Sequence, residues 1–229
     1  MKRPVVFFHV PKTGGVSLIA MAKNQEPPLL FVEGHHTIKT MRTQMAAGHF
    51  DSAFRFGFVR NPFDRFVSAY YYLRYMKEDN PYWKDDCDKK KTLEQFGDFA
   101  EFCAGFEKVP EIATYHFFRP MVYWVCENGQ SVLHFTGRFE SFEEDVRRLA
   151  PLIGLRGTLE KRNTSQHRSW QKYYEQGHCV DLVLPITNNV RNSLNFFLIY
   201  QTNQSVTTHF SLIFFGLELF FKLLKSKVY

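Results

Sequence analysis

The 229-residue chain has little cysteine, little net charge and no long uninterrupted apolar run. Its four cysteines, Cys87, Cys103, Cys126 and Cys179, form no C-x-x-C pair, and none stands beside a histidine at metal-ligand spacing, which argues against a zinc site. Their wide spacing reads as buried or incidental thiols, with a Cys87–Cys126 disulfide left open for an oxidising compartment. With 29 basic against 23 acidic residues the formal charge is +6, a mild excess that favours an anionic partner. That balance suits a nucleotide, an acidic glycan or nucleic acid, but the basic residues are scattered and no nucleic-acid reader motif is present, so nucleic acid ranks last. The apolar residues 5–10 are too few, and too soon followed by Pro11 and Lys12, for a signal core or a membrane span. As written the chain is expected to be cytoplasmic; an anchor upstream of Met1 would make it Golgi or membrane-associated instead.

Aromatic residues are plentiful, 17% of the chain with 25 Phe, so a core and a ligand pocket lined with rings are expected. Residues 4–10 read as a fully buried strand, residues 11–15 as a glycine loop, and residues 16–23 as a helix. A second buried strand over 53–59 leads to Pro62 at a first helical position, and Phe63, Phe66, Val67, Tyr70 and Tyr71 then mark one helix face. The charge-dense residues 77–92 predict an exposed loop, and residues 93–104 and 112–126 carry helical patterns stopped by Glu127-Asn128-Gly129. A third strand is predicted over 131–136. Ser141 and Glu144 form a capping box for a helix running to Ile153, with Gly154 as its stop.

Strands alternating with helices predict an α/β fold: a P-loop-like three-layer α/β/α domain around a central, mainly parallel sheet. That domain is expected over residues 1–176. In residues 177–229 charges thin out, and a helix over 210–224 is expected to dock on the domain in preference to lying on a membrane surface.

A loop of small residues between a buried strand and a helix gathers backbone N–H groups and the positive helix end at one point, which makes an anion site. Pro11-Lys12-Thr13-Gly14-Gly15-Val16-Ser17 has this form. It is not a Walker A sequence, because Lys12 precedes both glycines, and magnesium-dependent ATP turnover is therefore disfavoured. Arg60 stands where the second strand ends, the edge at which open α/β sheets bind ligands, and its planar fork suits a phosphate. Between the two turns, His35 and His36 offer imidazoles that can take a hydroxyl proton near neutral pH.

The run His9-Val10-Pro11-Lys12-Thr13-Gly14-Gly15 resembles the 5′-phosphosulfate loop of sulfotransferases that use 3′-phosphoadenosine 5′-phosphosulfate (PAPS). The run from Phe56 through Arg60-Asn61-Pro62 to Ser68-Ala69-Tyr70 resembles that family's 3′-phosphate motif. Phe135-Thr136-Gly137-Arg138-Phe139-Glu140 is similar to the carbohydrate branch of the family, and Asn163 to Arg168 to its later nucleotide-closing loop.

The resemblance implies transfer of a sulfonate from PAPS to a hydroxyl of a glycan, leaving 3′,5′-adenosine bisphosphate (PAP), without a metal. It assigns the donor to Pro11, Lys12, Thr13, Gly14, Gly15, Val16, Ser17, Arg60 and Ser68, with Ser165 and Arg168 added from the later loop, where Ser165 reads equally as a helix N-cap. Lys12 would stabilise the leaving phosphate, and His36 in preference to His35 would be the base. Arg65 is expected to be structural or a surface charge. The alternatives are a PAP-binding protein without transfer activity and a P-loop small-molecule kinase.

Overall fold

In the computed structural model, residues 3–29, 31, 34–160 and 167–175 are described. All fall in the first of the two units into which the chain divides, Met1–Ser193. Along the chain run β1 (Val5–Phe8), α1 (Gly15–Lys23), α2 (Ile38–Gln44), α3 (His49–Ser52), β2 (Phe54–Val59), α4 (Pro62–Arg74), α5 (Trp83–Glu94) and α6 (Phe99–Gly105). Then follow α7 (Pro110–Ala113), α8 (Val122–Val125), β3 (Cys126–Glu127), β4 (Gln130–Ser131), β5 (Phe135–Arg138), α9 (Phe142–Ile153) and α10 (Gln171–Tyr174).

β1, β2 and β5 form a parallel sheet with β2 in the middle, Phe7 paired with Phe56 and Phe58 with Gly137. Alternation along each strand sorts the side chains. Phe7, Phe56 and Phe58 pack on one face with Leu18 and Met21 of α1 and Val146 and Leu149 of α9. Val6 and Phe8 pack on the other with Ile38 and Met41 of α2 and Phe50 of α3. Helices on both faces explain why the strands read as unbroken apolar runs. Phe7 stacks on Phe56 with centroids 4.9 Å apart, and burying each such ring stabilises the fold by about 1.5–3 kcal/mol. Gly137 is required here, because a Cβ on it would stand 2.3 Å from the Phe58 ring. A separate aromatic cluster, including Phe66, Tyr70, Phe102 and Phe118, joins α4 to α6 and the chain beyond.

α4 begins where the proline pattern places it. Pro62 takes the first helical position, and Asn61 Oδ1 accepts from the amides of Phe63 (3.0 Å) and Asp64 (3.2 Å). Gly154 ends α9 at φ 73.

Five expectations change. Residues 77–92 are not all loop: α5 forms, held on its solvent side by the Lys90–Glu94 ion pair and by Lys89 donating to the Asp85 carbonyl (3.2 Å). The 93–104 pattern is split at Gly97 and Asp98, where Asp98 caps α6 by accepting from the Glu101 amide (2.9 Å). The 112–126 pattern is broken into α7 and α8 with Pro120 between them, a residue that has no amide to continue a helix. The third strand is β5, four residues later than the predicted start; Ser131 instead pairs with Cys126 across a hairpin whose turn residues, Asn128 and Gly129, both have positive φ. Ser141 makes no side-chain cap, because its hydroxyl donates to the buried Asp145 (2.8 Å). Cys87 and Cys126 are not joined to each other, so the Cys87–Cys126 disulfide is not formed. Cys179 and the expected 210–224 helix lie outside the described residues.

Candidate active site

Parallel strands put their carboxyl ends at one edge, and a cavity of about 1160 Å³ opens there. Each sheet strand sends residues into it: His9 and Lys12 after β1, Arg60 after β2, Phe139 after β5.

The first turn is shaped by backbone conformation. Lys12 (φ 65) and Gly14 (φ 86) are left-handed, and the buried Thr13 hydroxyl donates to the Val10 carbonyl (2.9 Å). A Cβ on Gly15 would lie 2.2 Å from the His9 ring, so only glycine allows this approach. α1 starts without a side-chain cap and without an acidic residue in its first turn, so its own side chains do not offset the positive end of its dipole. Lys12, Gly14, Gly15, Val16 and Ser17 line the cavity. Pro11 and Thr13 do not, but support the turn from behind: the Pro11 carbonyl accepts from Arg65 (3.0 Å), which also donates to the Arg119 carbonyl (2.8 Å). Arg65 is thus a buried structural residue, its pKa lowered to about 9 by burial and by Arg60.

The second turn meets the first through Arg60. Its Nη1 donates to the Lys12 carbonyl (3.0 Å), its Nε pairs with Asp64 (2.8 Å), and its guanidinium lies 4.0 Å from the Phe139 ring centroid. These bonds use two of the five guanidinium N–H donors, which leaves others on Nη1 and Nη2 for an anion. Ser68, one α4 turn beyond Asp64, is buried at the cavity wall. Arg168 also lines the cavity, its amide donating to the Tyr173 hydroxyl (3.1 Å), whereas Ser165 lies outside the described residues.

Lys12 lines the cavity. Its carbonyl is tied to Arg60, and its ammonium rests 3.9 Å from the Tyr72 ring centroid and 6.0 Å from that of Phe117. Burial, reinforced by Arg60 and opposed by Asp86, lowers its pKa to about 7. Asp86 is itself buried, accepts from the Tyr115 hydroxyl and is pushed up by desolvation.

The two adjacent histidines part company. His35 lines the cavity; His36 is not among its lining residues and packs its ring toward Gly34. His35 Nδ1 lies 2.7 Å from the His9 carbonyl. A carbonyl can only accept, so Nδ1 carries the proton, and Nε2 of the neutral ring keeps its lone pair. Burial lowers the His35 pKa to about 4 against the raising effect of that bond, with Arg65, Lys12 and His36 lowering it further.

His116 completes this wall with its ring centroid 4.9 Å from that of His35. No local signal marks it, because it sits in a turn between α7 and α8 and reaches the cavity only through the fold. Tyr72, Tyr115, Asp86 and Phe117 also line the site and were not singled out for it from the sequence. Among the described residues no group of three or more His, Cys, Asp or Glu side chains could hold a metal ion, and no helix is long and apolar enough to cross a membrane.

The fold and this cavity together define an α/β protein with a cleft at the carboxyl edge of its parallel sheet. The chain matches the model of the sulfotransferase family over residues 2–195 and belongs to that family, whose members transfer sulfonate groups. Neither the search of curated proteins nor that of solved structures returned a match.

Proposed function

We propose that the chain transfers a sulfonate from PAPS to a hydroxyl of a carbohydrate acceptor by in-line displacement. The observation that carries this reading is the Arg60 to Lys12 carbonyl bond, which puts the amide loop and the 3′-phosphate motif on one cavity. PAPS supplies an activated sulfonate with PAP as its leaving group. Lys12, Gly14 to Ser17 and the α1 amides are suited to its 5′ end, and Arg60 with Ser68 to its 3′-phosphate; Arg168, on the cavity wall, adds a further cation for the donor.

Around Lys12, Tyr72, Tyr115 and Phe117 line the cavity with aromatic surface suited to contact with a sugar ring. His35 Nε2 is the base in this reading, in place of the His36 favoured by sequence resemblance, since its lone pair is fixed by the Nδ1 bond and its ring lines the cavity. Lys12 places a cation where charge grows on the leaving phosphate, an effect usually worth a factor of about 10²–10³ per donor.

The test is a transfer screen with radiolabelled PAPS over galactose-, N-acetylgalactosamine- and uronic acid-containing oligosaccharides, with hydroxylated lipids and small phenols as comparison acceptors. Label on a glycan hydroxyl supports the reading. Label only on lipids or phenols refutes the carbohydrate assignment, and ATP-dependent labelling from γ-phosphate would indicate a kinase.

A further inference from the structure

Resting on the sulfotransferase reading, one feature of the cavity remains without a role: a second half-buried imidazole beside the base. Three histidines from three parts of the chain cluster around His35: His9 after β1, His35 itself before α2 and His116 between α7 and α8. Ring centroids are 4.2 Å apart for His9 and His35 and 4.9 Å for His35 and His116. His9 is buried, stacked on Phe7 at 5.4 Å and walled off by Gly15, and its carbonyl fixes the His35 tautomer. It is more deeply buried than His116, which is half-buried and so better placed to release a proton to solvent. His116 lines the cavity beside His35.

We propose that His116 is a proton-relay residue acting through His35. As the acceptor oxygen bonds to sulfur, the sulfur–oxygen bond to the 5′-phosphate breaks and its electron pair leaves on the phosphate oxygen. The hydroxyl proton goes to His35 Nε2, the one ring nitrogen not already holding a proton. It then passes to His116, directly or across one water, and from there to solvent, which returns His35 to its starting tautomer.

Burial and cationic neighbours lower the His116 pKa to about 3, below the about 4 of His35, so a proton rests on His116 only in passing on its way to solvent. The charged groups acting on the two rings are Lys12 from the loop, Arg65 from α4, Lys89 from α5 and Arg119 from the turn that carries His116. The buried carboxylate nearby, Asp86, is already engaged by Tyr115. A proton on either imidazole is repelled by this cationic wall and is driven outward, so the pair rests uncharged and ready to accept the next one. His116 also touches the rings of Tyr115 (4.2 Å) and Phe117 (4.4 Å), contacts that a phenylalanine would keep.

That difference supplies the test. His116→Phe preserves a packed ring but carries no proton, and it is assayed with labelled PAPS and the glycan acceptor found in the screen. The expected result is a kcat lower by about tenfold or more, with PAP affinity within about twofold of wild type and kcat rising with added imidazole buffer, to which the wild type is indifferent. Should the Phe variant fail to fold by circular dichroism, His116→Gln, which keeps a polar side chain, is measured in the same way. A folded variant with wild-type kcat and no buffer dependence overturns the relay while leaving the transfer reading intact. A wild-type chain that binds PAP and transfers to no acceptor overturns both.

Discussion

Lys12 sits in an environment that opposes its charge. Burial lowers its pKa to about 7, with Arg60 adding to the shift and Asp86 resisting it, whereas an unfolded lysine titrates near 10.5. The unfolded chain therefore binds the extra proton between those values, and this group makes the ligand-free fold more stable as pH rises through that window. A bound phosphate reverses the preference, because a nearby anion favours the ammonium. PAP binding at pH 8 should then take up about one proton, and affinity should fall as pH rises above 7. Calorimetry in two buffers of different ionisation enthalpy reads the uptake directly. Lys12→Ala should eliminate it and reduce transfer by about 10²-fold or more; unchanged uptake would mean that another group binds the proton.

At the scale of elements, the second turn holds its arginine through the start of α4. Asn61 caps two amides and Asp64, in the first turn, grips Arg60. Asn61→Ala should cost about 1 kcal/mol in urea unfolding and loosen the Arg60 side of the site, measurable as weaker PAP binding. Normal stability would show that Pro62 alone sets the helix start. This element was legible because its proline and its 3.6-residue apolar spacing agree. α5 was hidden, because among its twelve residues few are apolar and its charges stabilise it mainly by local pairs. The break at Pro120 was visible in the sequence, but the apolar pattern across it outweighed it. β5 was misplaced because Ser131 and Val132 share the β-favouring character of the strand that follows, and only the hairpin turn at Asn128 and Gly129 separates them.

For the molecule as a whole, three parallel strands deliver three turns to one edge, and this explains which parts of the site could be read in advance. Lys12 and Arg60 belong to strand-turn-helix units whose local spacing reveals them, Ser68 was legible only through the family resemblance, and the sheet brings the units together. His35 was found as one of an adjacent pair, but the choice between the two depends on which ring faces the cavity. His116, Tyr72, Tyr115 and Asp86 come from helices and turns that follow β2, and no short pattern could place them beside the lysine.

The most direct measurement is calorimetry of PAP and adenosine 5′-monophosphate against wild type and Arg60→Ala, with circular dichroism to establish that the variant is folded. A charge-assisted bond of about 1.5–3 kcal/mol corresponds to a preference for PAP of about tenfold or more, and Arg60→Ala should lose it while keeping its affinity for the monophosphate. Equal binding of both nucleotides by the wild type, or no heat with PAP at all, would contradict the assignment of the two turns to opposite ends of one donor.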